Sequence, residues 1–83
     1  MIGKPYILSD VEILDPNEKH YEHWTLIARP CVIQRLEMGE RMIISFDVGS
    51  LRTSTVKQIE TADNNVQVTT MNNRYIFTPC VAS

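Results

Sequence analysis

The segment Glu18-Lys-His-Tyr-Glu-His23 holds the residues best equipped for chemistry in this 83-residue chain: two imidazoles three positions apart, with carboxylates beside them. On a helix, His20 and His23 share a face, so both could reach one ion with a carboxylate in support. A structural zinc takes four protein ligands at recognisable spacing, and neither cysteine belongs to a Cys-x-x-Cys pair. The histidines therefore read as a solvated helix face flanking Tyr21 and Trp24, and neither metal nor cofactor is expected.

Nucleophiles are the next chemistry to test. Cys31 and Cys80 each sit in a Pro-Cys-Val triplet. The first ten residues carry Lys4 but no apolar stretch long enough for a signal peptide, so small buried thiols are the expected reading rather than a disulfide. A barrel whose last strand returns beside the Cys31 strand would nonetheless bring the two sulfurs together. Asp47-Val-Gly-Ser50 approaches an aspartic-protease triplet, but Val48 stands where that motif needs Thr or Ser. Gly3, Gly39 and Gly49 are too scattered to form a phosphate-cradling loop. A catalytic role is not expected, and no catalytic residue is assigned.

Composition narrows the class. With 43% hydrophobic and 22% charged side chains the chain matches one ordinary globular domain over residues 1–83. A core this small leaves stability thin, so a partner subunit would help. The net charge is −2, and the five arginines and three lysines are dispersed without a basic tract, which weighs against a protein built around phosphate contacts. No apolar run approaches the roughly 18–20 residues of a membrane span, so a cytoplasmic location without membrane contact is expected.

The elements that must position any site are strands. Val66 to Thr78 reads as a hairpin turning at Asn72-Asn73, because asparagine tolerates the positive φ of a two-residue turn. That register sets Thr70 against Tyr75 and Val68 against Phe77, with Val66, Val68, Thr70, Tyr75 and Phe77 on the buried side. Gln67, Thr69, Met71, Arg74, Ile76 and Thr78 take the other side. A second hairpin runs from Cys31 to Val48 around Gly39, pairing Arg35 with Met42, Ile33 with Ile44 and Cys31 with Phe46. Its reverse face holds Val32, Gln34, Leu36, Ile43, Ser45 and Asp47.

Leu51 to Glu60 is a strand whose apolar parity breaks between Leu51 and Val56, which predicts a bulge or bend near Ser54. Thr61 to Asn65 is a polar loop. Near the start, Ile7, Val11 and Ile13 alternate as in one strand. Asp15-Pro-Asn-Glu18 has the layout of a helix start, predicting a short helix or helical turn over residues 16–23. Together these elements predict a mainly β fold: a small, strongly bent antiparallel sheet or five-stranded barrel with that one helical piece. The run Leu51-Arg-Thr-Ser-Thr-Val56, followed by Val66-Gln-Val-Thr-Thr-Met-Asn-Asn-Arg-Tyr75, resembles a pattern in small uncharacterised bacterial and phage proteins with Src-homology-like β-barrels. The likeness covers about the last half of the chain. It implies a fold and an accessory or host-interaction setting, with no substrate.

One functional expectation follows from the face turned away from the core. Ile43, Met71 and Ile76, with Arg74 beside them and Val32, Leu36 or Val56 as further members, form the candidate partner-binding surface. A non-catalytic protein-interaction module that associates with itself is the favoured reading. A nucleic-acid-binding barrel using Arg35, Arg41, Arg52, Lys57 and Arg74 is the first alternative. An enzyme or metal-binding protein with an unrecognised site is the second.

Overall fold

The computed structural model describes residues 2–15 and 26–80. Six antiparallel strands hydrogen-bond in chain order around a closed barrel: β1 (Pro5–Ile13), β2 (Pro30–Arg35), β3 (Arg41–Phe46), β4 (Gly49–Ala62), β5 (Asn65–Thr70) and β6 (Asn73–Pro79). The fold is mainly β, as expected, with six strands in place of five. β1 is what closes the ring. Tyr6 pairs with Cys31 of β2 on one side and with Pro79 of β6 on the other, so no strand is left with a free edge along its whole length. The helical turn expected over residues 16–23 lies outside the described residues, together with His20, His23 and Trp24.

Among the described residues, alternation places twelve apolar side chains inside the barrel, including Leu8, Ile33, Met42, Ile44, Val68, Tyr75 and Phe77. The rings of Tyr6 and Phe77 meet edge to face, with centroids 6.1 Å apart, across the β1–β6 pair. Val56 belongs to this core, only 1% exposed, rather than to the outer surface. The cause is the bulge expected near Ser54: Arg41 pairs with Thr55 but Ile43 pairs with Arg52, so β4 carries one extra residue there. Thr53, buried at that point, accepts a hydrogen bond from the Met42 amide and donates one to the Ser54 carbonyl. Its hydroxyl thus satisfies backbone groups that the broken ladder leaves over.

The hairpins show where local signals were sound and where tertiary contacts moved them. Ile33 pairs with Ile44 and Cys31 with Phe46 as expected, but Arg35 sits opposite Ile43 rather than Met42, because a register shift inserts Gln34. In the last hairpin the buried and outer sets are as expected, while the pairing slides by two residues: Val68 opposes Tyr75 and Val66 opposes Phe77. The turn is therefore Met71-Asn72. Asn73 is drawn inside, 4% exposed, where its amide donates to the Thr70 hydroxyl, that hydroxyl donates to the Asn73 carbonyl, and the side-chain amide donates to the Tyr75 oxygen. The positive-φ turn residues lie instead in the β4–β5 connection, at Asp63 (φ 50°) and Asn64 (φ 70°), a tight turn within the polar loop expected over Thr61 to Asn65. In β1 the buried residues are Tyr6 and Leu8 rather than Ile7 and Ile13. A register shift between Leu8 and Asp10 then turns Val11 toward the core.

Candidate functional site

Closing the ring distributes the outward residues over two opposite walls. In an ordered six-strand ring β3 lies across from β6, so Ile43 is separated from Met71, Arg74 and Ile76. The four do not form one surface. Met71, Arg74 and Ile76 do belong together, on β6 and the turn that leads into it.

That turn is held from three directions. The Met71 amide donates to the Thr55 carbonyl at 3.1 Å, the Asn72 amide to the Ser54 hydroxyl at 3.2 Å, and the Asn72 carbonyl accepts from the amides of Leu14 and Asp15. Ile13 is the Cα partner of Asn73. These bonds gather Met71, Ile13 and Leu14 at one rim, where they are 57%, 51% and 39% exposed. Three large apolar side chains at one place, pinned by backbone bonds, form a patch rather than the scattered exposure usual on a surface. Ile13 and Leu14 were not singled out from sequence, because Ile13 alternates with Val11 like an ordinary core position.

Down β6 from the rim the wall becomes polar and then apolar again. Arg74 donates through Nη1 to Glu12 Oε2 at 3.1 Å and through Nε to the Thr69 hydroxyl at 3.3 Å, spanning β1, β6 and β5. Its guanidinium is committed to its neighbours. Half-buried Ile76 follows, between Asp10 and Gln67, with the Ser9 hydroxyl on its carbonyl.

On the other wall, Ile43 sits between two arginines: Arg35 is its partner on β2 and Arg52 its partner on β4. Arg41 lies two residues away on the same side of β3. An open cleft of about 420 Å³ lies over this wall, lined by the three arginines, Ile43 and Thr55 and by Gly39 and the acidic Glu40 of the β2–β3 turn. That turn is fixed to β4 by the Gly39 amide on the Val56 carbonyl and the Val56 amide on the Glu40 carbonyl. Gly39 takes the left-handed conformation expected of it, at φ 80°.

The thiols meet the seam between the walls. Cys31 is buried and Cys80 half-buried, both as free thiols, and the Cys80 amide donates to the Pro5 carbonyl on β1. Burial first, and the nearby Cys80 second, push the Cys31 thiol up to about 11, against a backbone hydrogen bond at Leu8 that lowers it. A thiol held protonated at neutral pH is a weak nucleophile. Burial likewise raises Tyr75, opposed by the Asn73 hydrogen bond, so its ring serves the core and is not available for stacking. Among the described residues no three His, Cys, Asp or Glu side chains converge as metal ligands, and no helix is long and apolar enough to cross a membrane. No protein-family model, curated protein or solved structure matches the chain.

Proposed function

We propose that this chain is a non-catalytic interaction module that associates with a second copy of itself through the Ile13–Leu14–Met71 rim and the adjoining β6 wall. The observation that carries the reading is Met71, 57% exposed yet held by its amide to Thr55, beside two other exposed apolar side chains. A flexible thioether on a fixed backbone suits an adaptable contact. The surrounding Arg74–Glu12 pair supplies a polar rim of the kind that borders apolar interface centres. Sequestering the patch would also add stability to a barrel too small to have much of its own. In this reading the protein works in the cytoplasm. As an accessory protein of a phage or mobile element it would act by occupying a protein surface, in keeping with the resemblance of its C-terminal half to small phage and bacterial barrels.

The test is the oligomeric state of the full chain. Light scattering on wild type should report a dimer whose population rises with protein concentration, and Met71→Asp should give a folded monomer. A wild type that stays monomeric at every concentration, or a Met71→Asp variant that dimerises as wild type does, overturns the proposal.

A further inference from the structure

The second wall has a different chemistry. Three of the chain's five arginines, Arg35, Arg41 and Arg52, lie around one cleft although the protein as a whole is acidic. Arg35 already has carboxylates near it, Glu37 at 3.5 Å and Glu40 at 3.8 Å. Arg41 and Arg52 have no ion-pair partner among the described residues. Net charge hides this. Once the strands pair, Arg35, Ile43 and Arg52 stand in a row across three strands, about 10 Å from end to end at ordinary strand spacing.

We infer that the β2–β3–β4 wall is a binding surface for the phosphodiester backbone of single-stranded nucleic acid, with Arg41 and Arg52 as the main phosphate contacts and Arg35 at the margin. A phosphate offers several acceptor oxygens and can engage two forked guanidiniums at once, whereas a lone carboxylate is satisfied by one. Ile43, between the arginines, gives a small apolar floor for a sugar or base, and Thr55 adds a hydroxyl at the cleft wall. The described wall is a sheet face without a projecting helix, so a strand laid across it fits better than a duplex whose groove must be entered. No aromatic side chain lines the cleft, so binding is weak and indifferent to base identity.

Fluorescence anisotropy of a labelled oligothymidylate of twelve nucleotides with the full chain tests this. Contact with two or three phosphates predicts a log–log salt slope of about −1.4 to −2.1, so affinity falls about 7- to 20-fold between 50 and 200 mM salt. Arg41→Gln with Arg52→Gln should weaken binding at least about tenfold, in keeping with the loss of two phosphate contacts, while circular dichroism stays unchanged. Arg74→Gln, on the opposite wall, should bind as wild type does. Running the titration also on Met71→Asp separates this surface from self-association. The inference fails if wild type gives no anisotropy change at low salt, or if the double variant binds normally. It fails equally if polyaspartate competes as well as unlabelled oligothymidylate, which would mark the wall as a site for acidic protein.

Discussion

The two outward walls of the barrel use the same residue types to opposite ends. On the β6 wall an arginine between apolar neighbours is neutralised in place: Arg74 is tied to Glu12 and Thr69, and what remains free is the apolar rim of Ile13, Leu14 and Met71. On the β3 wall the strand's apolar residue is the enclosed one, with Ile43 half-buried between Arg35 and Arg52, and apart from Met38 in the β2–β3 turn, 59% exposed, what remains free is positive charge. The difference comes from cross-strand neighbours. Position 74 faces a glutamate on β1, whereas position 52 faces an isoleucine on β3. Opposite charges directly across a strand pair stabilise each other, and an arginine without such a partner keeps its charge for a ligand.

Each wall rests on one buried threonine, and removing either should give the largest stability change outside the apolar core. Thr70→Val deletes the hydroxyl that closes the Met71-Asn72 turn in both directions, leaving the buried Asn73 amide and carbonyl short of partners. Thr53→Val does the same to the Met42 amide at the β4 bulge. Each should cost about 1–3 kcal/mol in urea denaturation. Independent walls should give separate effects, with Thr70→Val weakening self-association and Thr53→Val weakening oligonucleotide binding. Equal effects of both on both activities would mean that the walls are not independent.

Alkaline pH should act at the seam. The folded-state pKa of Cys31 is raised to about 11 from its ordinary 9.0, so between those values the unfolded chain releases a proton that the folded chain retains. Its contribution is full below about pH 9 and is lost as pH rises toward 11. Tyr75 is raised as well and adds to the loss at higher pH. Melting temperatures measured across this range should fall, and the fall should be shallower in Cys31→Ala. An equal slope in that variant would show that burial of the thiol contributes nothing.

A smaller effect is expected at Arg74. Its pair with Glu12 is partly exposed, so Arg74→Gln should lower stability by about 0.2–1 kcal/mol, whereas Arg52→Gln should leave it within about 0.5 kcal/mol. Chemical denaturation of the two variants side by side reads the contrast directly. If Arg52→Gln proves the more damaging, the unpaired status of that guanidinium is wrong.

Much of the fold could be read from residue pattern, and the exceptions share a cause. Ile33 opposite Ile44 and Cys31 opposite Phe46 followed from alternation and a glycine turn alone. The parity break in β4 announced its bulge because Leu51 and Val56 are both apolar and five apart. The last hairpin shows the limit. Asn72-Asn73 has turn composition, but Asn73 is a buried strand residue: the Thr70 hydroxyl meets its backbone amide and carbonyl and the Tyr75 oxygen meets its side-chain amide, while its Oδ1 is buried without a hydrogen-bond partner among the described residues. No local signal reports this. Asp63-Asn64, with the same turn chemistry, took the positive-φ role instead. In β1, Ser9 interrupts the ladder and donates to the Ile76 carbonyl, so Ile7, Val11 and Ile13 do not share a face despite their even spacing: Val11 packs against the core while Ile13 is exposed. Of the candidate site, Met71, Arg74 and Ile76 were legible as one outer face, since a slide of two residues preserves parity. Ile43 was grouped with them only because strand order around the ring is a property of closure. Pairing of the consecutive strands β2, β3 and β4, with their register shifts, gathers Arg35, Arg41 and Arg52, which are dispersed along the chain.

Sedimentation equilibrium of wild type and Met71→Asp at matched concentrations decides whether the Ile13–Leu14–Met71 rim joins two copies. Wild type should be a concentration-dependent dimer and the variant a folded monomer. Two indistinguishable monomers, or two indistinguishable dimers, would contradict that association.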